Sequence, residues 1–197
     1  MILIGNQISN IKGLSKVKFY NLTELNLQTN LISDLSSIEL FPFTKLEKLD
    51  LDNNLIFNID YLSNANFPLL KTLILSNNKI SNINVLSKVK FKKLISLILK
   101  DNKIENIDIL SSVPFINLSM LDLGNNLIKN INVLGNIPFK INDLKINNNP
   151  ITDYRILYNT RTINSIAIIN VDRQQHASIQ NIGYSLGFII NNIRLCE

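Results

Sequence analysis

The sequence has almost none of the residues that build disulfides, metal centres or catalytic clusters. Its 197 residues include one cysteine, Cys196, one histidine, His176, and no tryptophan. A single cysteine excludes an internal disulfide, and a histidine with no cysteine or repeated carboxylate nearby favours a solvated side chain. No glycine-rich phosphate loop occurs either. We therefore expect no cofactor, no metal ion and no enzymatic activity.

Long apolar runs are also absent. No stretch approaches the about 20 residues needed to cross a bilayer. The N-terminal stretch MILIGNQISNIKG lacks the basic region and cleavage site that mark a secretory signal. We expect a soluble protein of a reducing compartment, the cytoplasm, with the nucleus as the alternative, and no membrane partner.

What the sequence has in abundance is an internal repeat. The stretch from Leu70 to Ile83 reads L-x-x-L-x-L-x-x-N-x-I-x-x-I, and the pattern recurs at a period of 24 residues. A sustained period of this length is typical of a solenoid, in which each repeat stacks on its neighbours. The asparagine of the motif recurs at Asn6, Asn30, Asn54, Asn78, Asn102, Asn126 and, one residue early, Asn149.

Each repeat divides into a strand and a return arm. In Leu73-Ile74-Leu75, alternation places Leu73 and Leu75 inside and Ile74 outside. The motif asparagine is predicted to satisfy backbone groups at the turn that leaves the strand. A second column of helix-capping residue types opens the arm, which we predict to be a short α or 3₁₀ helix. That column contains Asn10, Asp34, Asn58, Asn82, Asn106 and Asn130.

A phenylalanine column runs through the second half of the arm and predicts a buried spine. Its members are Phe19, Phe43, Phe67, Phe91, Phe115 and Phe139.

Residues 1–151 resemble the leucine-rich repeat family, in the subclass typified by the protein phosphatase 1 regulatory subunit, and bacterial internalins share the motif. The resemblance implies an α/β fold: a right-handed leucine-rich repeat solenoid with a parallel sheet on its concave face and short helices on its convex side. We count about seven repeats in 1–151, the first one truncated, and assign 152–197 to a capping segment of the same continuous domain.

The capping segment departs from the period. We predict a helix over Asp153–Tyr158, a final strand over Ser165–Ile169, and a helix capped by Asp172. The apolar side of that helix is predicted to carry Ile179, Ile182, Leu186, Ile190 and Ile193. Asn149-Pro150, Tyr154-Arg155 and Ile169-Asn170 resemble, in order, the C-terminal cap of that subclass, which the U2 small nuclear RNP leucine-rich subunit and the acidic nuclear phosphoproteins also have.

The outward positions of the strands predict a binding site for another protein. Ile74 and Ile98 fall on adjacent strands with Met120 diagonal to them, which makes an apolar island on a face that should be solvated. Such an island within a polar rim is typical of a protein-binding hot spot. The predicted rim contains Lys48, Asp50, Asp52, Lys100 and Asp122.

Two functions fit these features. One is a protein-binding scaffold or adaptor that uses the concave face. The other is a structural subunit of a larger assembly, such as a ribonucleoprotein, held through that face or through an N-terminal edge that lacks a polar cap. Direct nucleic-acid contact is the weaker alternative, because the outward lysines at 88, 90, 92 and 93 form no continuous stripe across repeats.

Overall fold

The structure is a computed structural model that describes residues 1–158, 166, 168–186 and 193–195. Its centre is a single parallel sheet in which eight strands follow one another in chain order. Residues one repeat apart lie opposite each other, as Leu49, Leu73 and Leu97 do in neighbouring strands. The strands are β1 Glu24–Asn26, β2 Lys48–Asp50, β3 Thr72–Ile74, β4 Ser96–Ile98, β5 Met120–Asp122, β6 Asp143–Lys145, β7 Ile169–Val171 and β8 Ile193–Leu195.

Each return arm contains a 3₁₀ helix rather than an α-helix. The capping side chain sits two residues before the first helical N–H group and accepts a hydrogen bond from it, as Asn82 does from Asn84 at 2.8 Å. Because the asparagine side chain bonds to a backbone N–H only two residues further on, it stabilises a tight turn that leads directly into the helix. The 3₁₀ helices are Lys12–Lys16, Ser36–Leu40, Asp60–Ser63, Asn84–Ser87, Asp108–Ser111, Asn132–Asn136 and Arg155–Tyr158.

The core lies between the sheet and these arms. The inward leucines of β1 to β6 are completely buried, and so are Phe43, Phe67, Phe91 and Phe115. The Phe67 and Phe91 rings stack with centroids 6.1 Å apart, which confirms the spine at its centre. Phe19 is an exception, since 51% of it is exposed in the first repeat, where only one neighbouring repeat packs against it.

The motif asparagines form the predicted ladder. The Asn78 carboxamide accepts a hydrogen bond from the Ile56 N–H group at 2.9 Å and donates to the carbonyl oxygens of Leu51, Leu75 and Ser76. Two of these four bonds cross to the preceding repeat. The ladder therefore ties each turn to its neighbour, and it is structural, as the sequence indicates.

The C-terminal segment differs from its prediction in two ways. Strand β7 begins at Ile169, with Ile166 forming only an isolated bridge to Ile141, and Ser165 lies outside the described residues. The helix, α1 (Arg173–Leu186), ends before Ile193, which instead lies in β8; Ile190 also lies outside the described residues. Because β8 pairs in parallel with β7, the solenoid continues to add one strand per repeat after the helix.

The predicted start of α1 is confirmed. Asp172 accepts a hydrogen bond from the Gln175 N–H group at 2.8 Å, and the Gln175 side chain accepts one from the Asp172 N–H group. This reciprocal pair is a capping box. None of the helices within the described ranges combines the length and the apolar character needed to cross a membrane.

Candidate functional site

The candidate site lies on the face of the sheet that points away from the core, which we call the concave face. Each strand from β1 to β6 contributes two outward side chains, and parallel pairing places equivalent positions side by side. The residue two positions after each strand's last outward residue adds a third column, Gln28, Asp52, Ser76, Lys100, Gly124 and Asn147. The columns are fixed by the constant repeat length, so the sequence correctly predicts which residues are neighbours. The middle column reads Asn26, Asp50, Ile74, Ile98, Asp122 and Lys145.

The apolar island consists of Ile74, Ile98 and Met120. Ile74 and Ile98 are register partners in β3 and β4, while Met120 lies opposite Ser96 and is therefore diagonal to Ile98. All three side chains are half-buried and open to solvent on the concave face, not enclosed in the core. Covering an apolar surface of this kind with another molecule is favourable, because it removes the surface from water.

Asp50 and Asp122 occupy the same position of their repeats, one strand beyond either end of the isoleucine pair. Their exposed fractions are only 7% and 6%. Each uses its Oδ1 atom to accept a backbone N–H two residues later, from Asp52 at 3.1 Å and from Gly124 at 3.0 Å. Strand alternation predicts that they point outward, but it does not reveal that the turn folds back onto them.

The two aspartates differ in their cationic neighbours. The Oδ2 atom of Asp122 lies 3.6 Å from the ammonium group of Lys145. The nearest lysine along the chain from Asp50 is Lys48, and its ammonium group instead bonds to Glu24 at 2.7 Å. Among the described residues, no hydrogen-bond donor reaches the Oδ2 atom of Asp50.

The electrostatics of Asp50 follow from this environment. Burial raises the pKa of its carboxyl above the ordinary value of 3.8, against the hydrogen bond from the Asp52 N–H group, which lowers it. The neighbouring carboxylates of Asp52 and Glu24 raise it further, and Lys48 opposes them. The chain thus holds a poorly compensated carboxylate beside an apolar surface.

The other predicted rim residues are more open. Lys48 and Lys100 keep 39% and 45% of their side chains exposed. Asp52 accepts hydrogen bonds from Gln28 and Asn77, which holds its carboxylate at the turn side of the concave face.

The concave face has the opposite charge to the protein as a whole. The three columns over β1–β6 contain five carboxylates and three lysines, a net charge of −2, whereas the whole chain has a formal charge of +5. The remaining residues therefore carry +7. The charged members of the face are Glu24, Asp50, Asp52, Asp122, Asp143, Lys48, Lys100 and Lys145.

The other chemistry-bearing residues are not brought together. Within the described part of the chain, no three His, Cys, Asp or Glu side chains are grouped so that they could hold a metal ion. The four clustered lysines, which alternate with buried Val89 and Phe91, are all exposed, as predicted.

Sequence reasoning missed one further surface. Leu31, Leu55 and Phe57 are exposed by 46%, 37% and 63% on the turns that follow the strands. The available signal was the residue after the motif asparagine, which is leucine in these two repeats and lysine in the two that follow.

Comparison with models of protein families gives no match, and neither does comparison with curated proteins. Solved structures do match. An internalin (inlF) from Listeria monocytogenes aligns with a TM-score of 0.69 at 23% identity, over 96% of this chain and 51% of that one. Another Listeria monocytogenes protein, internalin C2, gives a TM-score of 0.69 at 24% identity, over 86% of this chain and 69% of that one.

A plant peptide hormone receptor in complex with RGF2 is also similar, with a TM-score of 0.62 at 22% identity over 87% of this chain and 27% of the receptor. These similarities, with the parallel sheet and its 3₁₀ arms, show that the chain has the leucine-rich repeat solenoid fold. Among particular proteins it is similar to the internalins, and it spans about half the length of inlF. The matches give no support to the phosphatase-regulatory-subunit-like subclass.

Proposed function

We propose that this protein is a non-enzymatic scaffold or adaptor that binds another protein through its concave face. The observation that carries the proposal is the pairing of Ile74 with Ile98, with Met120 beside them, on a sheet face that is mostly polar. Two adjacent apolar side chains at the centre of a solvated face can anchor a partner, since hot spots lie centrally and polar residues surround them.

The surroundings of the island support this function. Lys48, Asp52 and Lys100 stand open to solvent around it and provide groups for hydrogen bonds at the rim. The similar plant structure is that of a peptide hormone receptor in complex with RGF2, which favours a protein or peptide partner for the same fold.

Removing the island tests the proposal. The double variant Ile74→Thr with Ile98→Thr keeps β-branched side chains suited to a strand but removes the apolar anchor. We expect affinity capture followed by mass spectrometry to recover a partner with the wild-type protein, and the variant to bind that purified partner at least about tenfold more weakly.

A matched control uses apolar residues outside the island. Ile95 and Ile116 are exposed by 44% and 71% and lie away from the concave columns. Ile95→Thr with Ile116→Thr should retain wild-type affinity, and circular dichroism should be unchanged for both double variants. Equal binding by the island variant and the wild type would contradict the proposal.

Exposed side chains in the first repeat favour a second candidate, a structural subunit of a larger assembly such as a ribonucleoprotein. Ile2, Phe19 and Tyr20 are exposed by 72%, 51% and 56%. A subunit held through this end would aggregate when isolated and become soluble when co-expressed with its partner, whereas an adaptor would elute from size exclusion as a stable monomer.

Two finer features belong to the same proposal. We place the chain in the phosphatase-regulatory-subunit-like subclass on its L-x-x-L-x-L-x-x-N-x-I-x-x-I motif, and in the cytoplasm on its single cysteine among 197 residues. Fluorescence microscopy of the tagged protein in its own cell type tests the localisation.

A further inference from the structure

The environment of Asp50 indicates what kind of partner the concave face takes, and this inference rests on the proposed function. Only 7% of Asp50 is exposed. Among the described residues, its Oδ1 atom has a hydrogen-bond donor and its Oδ2 atom has none. A buried carboxylate with an unused oxygen is costly unless a cation or a donor pairs with it.

Asp122 shows what the missing partner would look like. It lies at the same position of its own repeat, it is equally buried, and it bonds its turn in the same way. Its neighbour on the outer side is Lys145, whose ammonium group approaches its Oδ2 atom. The outer neighbour of Asp50 is Asn26, and the Asn26 Oδ1 atom is committed to the Gln28 N–H group.

The lysine nearest to Asp50 in sequence does not replace Lys145. Lys48 bonds to Glu24 at 2.7 Å, which holds the pKa of the Glu24 carboxyl below its ordinary value. Asp52 adds a second carboxylate on the same side, bonded only to neutral amide groups. The β1–β2 side of the island is therefore acidic, with two carboxylates that no described lysine or arginine neutralises through a salt bridge.

We propose that the concave face binds an extended protein segment that places a lysine or arginine side chain at the Oδ2 atom of Asp50 and an apolar side chain on Ile74 and Ile98. The distance between the two contacts is short, since Asp50 and Ile74 are register partners on adjacent strands, about 4.8 Å apart. A cation and an apolar group one or two residues apart in the partner can reach both.

The charge of the whole face agrees with this partner. Its net −2 attracts a basic segment and repels nucleic acid, although the protein is basic overall. Charge complementarity of this kind suppresses acidic competitors as well as accelerating encounter with the correct partner.

A random library of linear peptides displayed on phage provides the probe. Peptides are selected on the immobilised full-length protein, and those that lose binding to the Ile74→Thr with Ile98→Thr variant are kept. We expect the kept peptides to contain lysine or arginine beside an apolar residue. Enrichment of acidic or uncharged peptides on the island would overturn the inference.

Two matched variants identify the carboxylate responsible. Asp50→Asn keeps the turn, because Asn26 makes the same bond to its own turn with an amide oxygen. Asp50→Asn should lower the affinity of the kept peptides at least about tenfold, the usual effect of losing a hydrogen bond to a charged group. Asp108→Asn removes the same charge from an exposed carboxylate on a return-arm 3₁₀ helix, away from the concave face, and should leave their affinity within about twofold.

The outcomes separate the two proposals. Peptides that depend on Ile74 and Ile98 but bind Asp50→Asn as well as the wild type overturn the cationic partner and leave the concave binding function intact. If no selected peptide depends on the two isoleucines, the concave function fails and the inference fails with it.

Discussion

At the scale of single residues, whether a buried carboxylate is paired with a lysine depends on what the neighbouring lysines already bind. Asp50 and Asp122 share a repeat position, a buried setting and a turn bond. They differ because Lys145 is free to approach Asp122, whereas Lys48 is held by Glu24. The same residue at the same place in the repeat is therefore a compensated structural group in one strand and an uncompensated one in another.

This difference gives a pH-dependent stability prediction for Asp50→Asn. Burial raises the folded-state pKa of Asp50 above its ordinary value of 3.8, so ionisation of this group weakens the fold. The cost is absent well below pH 3.8 and grows as the pH rises through the folded-state pKa. Asp52, Lys48 and Glu24 surround the group and are unchanged in the variant. Asp50→Asn should melt higher than the wild type at pH 7.

Melting curves at several pH values check the sign. The difference in melting temperature between Asp50→Asn and the wild type should shrink as the pH falls below 3.8, where Asp50 is protonated in both the folded and the unfolded state. A variant that is less stable at pH 7, or a difference that stays constant with pH, would show that Asp50 does not carry the cost.

Thr29 gives a second residue-scale prediction. It adopts a left-handed backbone with φ of 56°, where four of its six equivalents are asparagine and the other two are Gln7 and Asp101. A β-branched side chain is strained there, while asparagine tolerates the conformation. Thr29→Asn should raise the free energy of unfolding by about 0.5–1 kcal/mol.

Denaturant titration measures this gain as a higher unfolding midpoint. The opposite variant Asn53→Thr should lower the midpoint, because it introduces the same strain at a second turn, where φ is 53°. An unchanged midpoint for both variants would mean that the turns relax around either residue.

The sequence predicts some residue-level features of the site well and others poorly. Ile74 and Ile98 can be paired from the period alone, because a constant repeat length fixes the register of a parallel sheet. The burial of Asp50 cannot be read in this way, since alternation says which side of the sheet a residue is on but not whether the next turn covers it. Whether the predicted rim contacts a partner stays a prediction.

At the scale of structural elements, the turns are organised by side-chain amides. Each repeat uses one asparagine to close the turn after the strand and another Asx residue to open the 3₁₀ helix. Both bond to backbone groups that a tight turn would otherwise leave unpaired. The asparagine-rich composition therefore reflects the number of turns and does not indicate a binding chemistry.

Removing a ladder asparagine should be costly. Asn78→Ala deletes four hydrogen bonds and leaves the buried Ile56 N–H group without a partner, while the Leu51 carbonyl oxygen keeps only its bond from Asn54. An unsatisfied buried group costs about 1–3 kcal/mol and each of the other three lost bonds about 0.5–1.5 kcal/mol, so we expect a loss of at least about 2 kcal/mol in the free energy of unfolding.

Chemical denaturation of Asn78→Ala beside Asn66→Ala makes the comparison. Asn66 is exposed, and its loss should change stability by less than about 0.5 kcal/mol. Similar values for the two variants would mean that water takes over the bonds of the ladder.

The return arms show how far element prediction can reach. The Asx column correctly locates the start of each arm, and Asp172 as helix cap correctly locates the start of α1. The end of α1 is misplaced because Ile193 continues the apolar spacing of the helix, although tertiary pairing with β7 draws it into β8. Spacing alone cannot distinguish these outcomes when the apolar residues are few.

At the scale of the whole molecule, neighbouring repeats supply most of one another's core. The apolar side chains of each repeat are buried against the repeats on either side, and one repeat alone would leave them in water. A single repeat is therefore unstable, and the sheet persists because every strand from β2 to β7 is paired on both sides.

This dependence predicts that position in the array decides the effect of a core substitution. Leu27 and Leu99 occupy the same inward place in their repeats, and both are fully buried. Leu99→Asn puts an unpaired amide between repeats in the middle of the solenoid, which should disrupt β3, β4 and β5 together. Leu27→Asn should loosen only the N-terminal repeats.

Hydrogen exchange measured by mass spectrometry should therefore show lost protection on both sides of β4 for Leu99→Asn, but retained protection from β4 onward for Leu27→Asn. If Leu99→Asn lost protection in its own repeat alone, each repeat would be holding itself together, and the nearest-neighbour account of this solenoid would be wrong.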